Sequence, residues 1–157
     1  MNIYLTKATI ADSEEIHKMQ VAAFQPLLDK YQDYDISPAT ETLERVQGRF
    51  AYDFIDQYFI SLNNQNIGYI RVRRMDEDIF KLVQVFILPE FQNNGYAQVA
   101  LTQAESLYPQ AKKWVLDTIK QESKLCHLYE KMGYRLTGTE KNIKEGMDLV
   151  DYEKDSL

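Results

Sequence analysis

The stretch LPEFQNNGYAQVAL, Leu88–Leu101, joins two different periodicities. Apolar residues before it follow a strand-like pattern, whereas small and apolar residues after Gly95 recur at helical spacing. The junction holds Asn93 and Asn94, and no charged residue caps the helix that follows. A helix N-terminus leaves about four backbone N–H groups unpaired, and a small polar loop lets them converge on a phosphate. The pattern alone is equally compatible with an ordinary strand–turn–helix connection, because one glycine is weak evidence.

Composition narrows the classes of protein. The chain of 157 residues predicts a single domain over 1–157. A net charge of -6 argues against a nucleic-acid partner, which requires a basic surface. Cys126 is the only cysteine and there are two histidines, which excludes the common zinc spacings and predicts a reducing, cytoplasmic setting. Neither a signal peptide nor a membrane span is expected, since no apolar stretch has the required length or flanks.

The remaining segments alternate between strand and helix patterns. A helix is predicted after Thr9, where Thr9 and Asp12 have capping-box spacing. A second helix is predicted over 37–50, with Ser37 as N-cap and Pro38 at the first helical position. The order β-α-α-β-β-β-α-β-α-β-β predicts an α/β layered domain. Its mixed central sheet would have about seven strands, flanked by about four helices.

The segment IFKLVQVFIL, 79–88, is apolar on both faces, which is typical of a central strand. Strict alternation places two sets of side chains on opposite faces. One set is Ile79, Val83, Val85 and Ile87, and the other is Phe80, Leu82 and Phe86. The preceding strand segment, IGYIRVRRM, 67–75, contains three arginines. They are predicted to form a solvated strand face: Arg71, Arg73 and Arg74.

Two motifs resemble those of one enzyme family. The segment QNNGYA, 92–97, resembles the (Arg/Gln)-x-x-Gly-x-(Gly/Ala) signature of the GNAT superfamily of N-acetyltransferases. The segment LYEKMGY, 128–134, resembles a second family segment, LYEKxGF. The order of elements also matches along the whole chain. The resemblance implies a metal-free enzyme that uses acetyl-CoA as cosubstrate and acetylates a primary amine of a small molecule or peptide, directly and through a tetrahedral intermediate.

The resemblance also implies a cofactor site. Backbone amides at 93–98 would hold the CoA pyrophosphate, and the backbone at 85–87 would pair with the pantetheine arm as with an added strand. In the family the central strand splays from the next one, here KWVLDTI, 113–119, and the gap admits the thioester. An amide near Ile87 would polarise the thioester carbonyl. The implied cofactor residues are Val85, Phe86, Ile87, Gln92, Asn93, Asn94, Gly95, Tyr96, Ala97 and Gln98.

The catalytic groups are less completely specified. Tyr129 matches the family tyrosine that protonates the leaving thiolate, although its position on an apolar stripe also fits a core aromatic. Many family members carry a carboxylate on the central strand, where this chain has only Lys81 and Gln84 as polar residues. Asp117 is therefore the candidate base and Glu122 a weaker one, with a water relay or an already neutral amine as alternatives. A catalytically silent acyl-CoA-binding module on the same fold is the rival interpretation.

The acceptor is expected beside the connection DKYQDYDIS, 29–37, which in the family lines the acceptor side of the cleft. Asp33, Tyr34 and Asp35 would bind a cationic amine through charge pairing and cation–π contact. The alternative is a solvated turn, in which aspartate is common. Cys126 and His127 do not predict a nucleophilic pair, because adjacent helical residues do not face each other. The apolar C-terminal strands suggest a possible homodimer.

Overall fold

The computed structural model describes residues 2–156. Seven strands are present: β1 (Ile3–Lys7), β2 (Ile55–Leu62), β3 (Gln65–Arg74), β4 (Ile79–Ile87), β5 (Lys113–Ile119), β6 (Arg135–Lys144) and β7 (Met147–Asp155). Four α-helices accompany them: α1 (Ser13–Tyr31), α2 (Leu43–Gly48), α3 (Tyr96–Ser106) and α4 (Ser123–Lys131). The strands form one mixed sheet in the order β1-β2-β3-β4-β5-β7-β6. The predicted α/β class and element order are confirmed.

The sheet consists of two antiparallel halves that meet at a short parallel join. β1–β4 form one half, and β5, β7 and β6 form the other. β4 pairs with β5 over three residue pairs only, the last of which joins Lys81 to Val115. Both strands continue for several residues beyond that pair, so the sheet contains a gap between them. The splay that the family resemblance implied is therefore present.

A β-bulge at Val83 changes which faces the β4 side chains occupy. Leu82 and Gln84 pair with consecutive residues of β3, and Val83 is skipped. An extra residue reverses the alternation along the rest of the strand. Phe86 therefore packs on one side of the sheet, and the other side carries Phe80, Leu82, Val85 and Ile87. The strict alternation predicted from sequence is wrong at this point.

Two hydrophobic cores cover the two faces of the sheet. The larger core packs α3 and α4 against the sheet around Trp114 and Leu101, both fully buried. The smaller core packs α1 and α2 around Phe59 and Phe86. These two layers hold the gap in the sheet between α1 on one side and α4 on the other.

The predicted second helix is divided into three short pieces. Ser37 caps the first piece as predicted, since its hydroxyl accepts a hydrogen bond from Ala39 N at 3.1 Å. The chain then becomes extended, and the hydroxyl of Thr42 accepts from Arg45 N at 3.2 Å and starts a new helix. A second capping residue inside the pattern therefore interrupts the helix. The pieces are the 3₁₀ turn Pro38–Thr40, α2, and the 3₁₀ turn Arg49–Ala51.

Arg71 does not belong to a solvated face. Arg73 and Arg74 are exposed as predicted, but Arg71 is only 7% exposed. It lies near the ion pair between Arg49 and Glu41, and burial lowers the pKa of its guanidinium. Its Nη1 atom has no hydrogen-bond partner among residues 2–156.

Two further features concern the surface. β6 forms one outer edge of the sheet, and most of its side chains are exposed. Pairing of two copies through the C-terminal strands stays a prediction, as does a cytoplasmic location. Within residues 2–156, no helix combines the length and the apolar character needed to cross a membrane.

Candidate active site

The loop before α3 presents an uncapped helix N-terminus. Gly95 occupies the N-cap position in the left-handed region (φ 76°), and no side chain caps the helix. Asn93 is also left-handed (φ 66°), while the Asn94 amide donates to two carbonyl groups of the preceding turn, each at 3.1 Å. A Cβ added at Gly95 would meet no atom within 4 Å. The helix therefore begins at an open space, which suits an anion held by backbone amides.

Two side chains define the surroundings of this loop. Gln92 turns back to the end of β4, where its Nε2 donates to the carbonyl oxygen of Ile87 at 2.8 Å. It therefore ties the loop to the strand. Lys124, at the start of α4, donates to Asn93 Oδ1 at 2.9 Å and brings a positive charge to the loop. No motif includes Lys124, so the sequence pattern did not predict it.

A cavity of about 470 Å³ extends from the loop along β4. It is called the larger cavity because a smaller one, described below, adjoins it. It lies between α1, β4, α3 and α4, and Lys124, His127 and Lys131 add basic groups to its lining. Asn94 does not line it. The structure brings the other predicted cofactor residues together there: Val85, Phe86, Ile87, Gln92, Asn93, Gly95, Tyr96, Ala97 and Gln98.

The register of β4 determines which backbone groups face the gap. Leu88 N donates to Ile67 O on β3 at 2.8 Å. Because hydrogen-bonding groups alternate between the two sides of a strand, the N–H groups of Val85 and Ile87 point away from β3, toward the gap. Phe86 directs its backbone to β3 instead. Two amides are thus placed to pair with an extended ligand in the gap.

Tyr129 lies at the far end of the larger cavity. The residue is 7% exposed, and its ring packs against Tyr134 and Tyr152 with centroids 6.0 and 6.4 Å away. Within residues 2–156 its hydroxyl makes no hydrogen bond. Burial, together with the charges of Asp117 and Cys126, raises the pKa of Tyr129 to about 12. The hydroxyl is therefore protonated at neutral pH, as a proton donor must be.

A second cavity of about 220 Å³, the smaller cavity, adjoins the larger one. Both are lined by Tyr129 and Val85, together with Phe24, Leu27 and Leu125. Tyr129 thus stands between the two cavities, at the gap in the sheet.

The polar groups of the smaller cavity include some of the predicted acceptor residues. Asp33 lines it, and so do Gln84 and Asp117. Tyr34, which is 61% exposed, and Asp35, also exposed, line neither cavity. The structure therefore separates Asp33 from the two residues that were predicted to act beside it.

The two candidate bases differ in their surroundings. Asp117 lines the smaller cavity and forms an ion pair with Lys81 at 3.0 Å. Glu122 lines neither cavity and accepts hydrogen bonds from Lys30 at 2.7 Å and from the Tyr31 hydroxyl. Partial burial alone would raise the pKa of Glu122, but these hydrogen bonds outweigh it and lower the pKa. Glu122 therefore joins the end of α1 to the start of α4 and is a poor proton acceptor.

Cys126 and the potential metal ligands were the remaining candidates for a reactive site. Cys126 makes a long contact from Sγ to Ile119 O, 3.7 Å, and no hydrogen bond joins it to His127. Residues 2–156 contain no group of three or more His, Cys, Asp or Glu side chains that could hold a metal ion.

Comparison with known proteins identifies the family. A sequence model of the acetyltransferase (GNAT) family matches residues 14–134. Because this match spans most of the chain, the protein belongs to that family, as its two motifs predict, and the family consists of acyltransferases. No curated protein sequence matches the chain.

Solved structures share the fold. An acetyltransferase from Thermus thermophilus is 15% identical, with a TM-score of 0.78 over 99% of this chain and 98% of that one. The PaiA N-acetyltransferase from Thermoplasma acidophilum, solved with coenzyme A, is 17% identical, with a TM-score of 0.71 over 99% and 100%. The ribosomal-protein-S18-alanine N-acetyltransferase from Escherichia coli is 10% identical, with a TM-score of 0.78 over 98% and 94%.

Proposed function

We propose that the protein transfers the acetyl group of acetyl-CoA directly to a primary amine. The observation that carries this proposal is the position of Tyr129, buried and protonated, between two adjacent cavities. One cavity begins at the open N-terminus of α3, and the other is lined by Asp33, Gln84 and Asp117, whose oxygen atoms suit an amine. This arrangement suits a reaction in which two substrates meet at one carbonyl carbon.

The proposed cofactor site uses backbone groups more than side chains. The amides of 93–98 bind the CoA pyrophosphate at the N-terminus of α3, where the partial positive charge of the helix favours an anion. Lys124 adds a cation there, and Asn94 and Gln92 keep the loop in shape. The pantetheine arm pairs with the N–H groups of Val85 and Ile87, which places the thioester in the gap.

The proposed reaction has two bond changes. The amine nitrogen attacks the thioester carbonyl carbon and forms a tetrahedral intermediate, whose oxyanion the Ile87 amide stabilises. The C–S bond then breaks, and the Tyr129 hydroxyl donates its proton to the departing thiolate. An ammonium substrate gives up two protons in total. One of them restores Tyr129 through solvent and the other is released, so the products are the amide, CoA thiol and one proton.

Asp117 is the proposed first acceptor of the amine proton. It lines the smaller cavity, whereas Glu122 is held by Lys30 and Tyr31 outside both cavities. A water molecule between Asp117 and the amine is compatible with this role.

A catalytically silent acyl-CoA-binding module is the second candidate. The observation that favours it is the small number of polar side chains on β4. They are Lys81, which is paired with Asp117, and Gln84. The strand therefore offers no carboxylate.

An amine panel with detection of released CoA thiol tests the proposal. Thermal unfolding with acetyl-CoA serves as the binding control, and a stabilisation of about 2.7 kcal/mol is expected at 100 times the dissociation constant. Turnover with at least one amine supports the enzyme. Stabilisation without turnover of any amine supports the silent module, and equal stabilisation by ATP would contradict the pantetheine site.

A further inference from the structure

Two residues that line the smaller cavity, Asp33 and Gln84, each have a buried oxygen atom that lacks a partner. Asp33 Oδ1 and Gln84 Oε1 are both buried, and neither has a hydrogen-bond partner among residues 2–156. Gln84 as a whole is only 8% exposed. An unsatisfied buried polar group is costly, so such groups beside a cavity indicate a ligand that supplies donors.

The backbone holds both residues in place without using these atoms. The turn at 33–37 is closed by Ser37 N and Ile36 N, which donate to the backbone oxygen of Asp33 at 2.8 and 3.1 Å. The Asp33 carboxylate is therefore not required to cap the turn. Gln84 follows the bulge at Val83, which moves it onto the sheet face that carries Phe86.

The charge of the cavity is close to a single negative unit. Asp33 and Asp117 are its two carboxylates, and Asp117 is paired with Lys81 at 3.0 Å. Most of the remaining wall is apolar and includes Phe24, Leu27, Ile36, Leu125, Met147 and Leu149. The volume of about 220 Å³ corresponds to roughly seven water molecules.

We propose that Asp33 and Gln84 clamp the amino group of the acceptor, and that the acceptor is a small, singly charged primary amine with an apolar body. This inference rests on the proposed function and adds the substrate class to it. An ammonium group supplies three N–H donors, enough for both oxygens and for the proton acceptor. A second positive charge on the acceptor would be buried against the apolar wall without a partner, which is strongly unfavourable.

The test combines matched amines with matched variants. Butylamine, 1,4-diaminobutane and a short peptide with a free N-terminus are compared in steady-state kinetics at saturating acetyl-CoA. Asp33→Asn removes the carboxylate charge, and Gln84→Leu removes the amide at similar size. Asp35→Asn is the control, because it removes the same charge two residues away and outside both cavities.

Butylamine is expected to have the highest kcat/KM of the three. Asp33→Asn and Gln84→Leu should each raise its KM about 10-fold or more, with the KM for acetyl-CoA unchanged, whereas Asp35→Asn should change it less than about two-fold. Gln84→Leu should not lower the melting temperature, since an unsatisfied group is removed. A higher kcat/KM for the diamine or the peptide, or equal KM values for Asp33→Asn and Asp35→Asn, would overturn the proposal.

Direct binding separates this inference from the proposed function. Calorimetry of butylamine against the CoA-saturated protein requires no turnover. If butylamine binds, and Asp33→Asn and Gln84→Leu weaken that binding, but no acetylation occurs, the clamp is supported and the transfer reaction is rejected. If Asp33→Asn does not fold, as judged by circular dichroism, Gln84→Leu decides alone. If both variants acetylate amines with an unchanged KM for the amine, the transfer reaction is supported and the clamp is rejected.

Discussion

Replacement of Gly95 by aspartate tests the proposed anion-binding role of the loop before α3, with little damage expected to the fold. A residue with a Cβ costs roughly 1–2 kcal/mol in the left-handed region that Gly95 occupies. Aspartate is, however, favourable at a helix N-terminus by about 0.3–1 kcal/mol. The added Cβ meets no atom within 4 Å. The free energy of unfolding should therefore fall by about 1 kcal/mol, and by no more than about 1.7 kcal/mol.

The effect on CoA binding should be larger. A carboxylate about 5 Å from a phosphate charge repels it by roughly 1–3 kcal/mol at effective dielectric constants between those of water and a protein surface. That energy corresponds to about a 5- to 150-fold rise in Kd. The carboxylate also occupies the space in front of the α3 amides, so loss of all measurable binding is expected if the pyrophosphate lies there.

Calorimetric titration with acetyl-CoA measures the effect, and Gly138→Asp is the matched control. Gly138 lies on β6, has φ 98° and also has no atom within 4 Å of an added Cβ, so the control shares the strain and the charge. The control should bind acetyl-CoA like the original protein. Equal Kd values for Gly95→Asp and Gly138→Asp, with both variants folded, would refute the role of the loop.

Three further predictions concern Tyr129 and Glu41. Tyr129→Phe should lower kcat about 10²-fold with the Kd for acetyl-CoA nearly unchanged, and a loss of stability with normal kcat would leave the tyrosine as a core residue only. Because the pKa of Tyr129 is raised to about 12, kcat should show no descending limb between pH 7 and 10, and a limb near 10 assigned to this residue would contradict the burial argument. Glu41→Gln should lower the free energy of unfolding by about 1–3 kcal/mol in urea at pH 7, since Arg49 loses the charge of a partly buried partner. Burial alone would raise the pKa of Glu41, but hydrogen bonds from Arg49 and Gln20 lower it, so its contribution is present above the unfolded value of about 4.3 and is lost as pH falls. A Glu41→Gln variant whose deficit persists undiminished at pH 3 would contradict that reasoning.

The sequence was informative where local chemistry decides the structure. Gly95 and Asn93 marked the turn before α3, because glycine and asparagine adopt the left-handed conformation more readily than other residues, and both do so here. The order of elements followed from apolar periodicity, and two motifs identified the family. The gap between β4 and β5 was expected only from the family resemblance.

Other features depend on residues distant in the chain. The bulge at Val83 is set by pairing with β3, and no local pattern distinguishes it from regular alternation. Arg71 is buried near Glu41 and Arg49, which are distant from it in the chain. Lys124 belongs to no motif, and only the packing of α4 beside the loop brings it to Asn93.

The short join between β4 and β5 also bears on aggregation. Beyond its three residue pairs, each strand has an inner edge without a ladder partner. Such an edge is a template for any extended chain, including a strand from a partly unfolded copy of the same protein. A pantetheine arm in the gap would block that template on β4. The protein with the proposed cofactor bound should therefore scatter less light on heating than the free protein at the same unfolded fraction, and cofactor supply would then affect solubility as well as turnover.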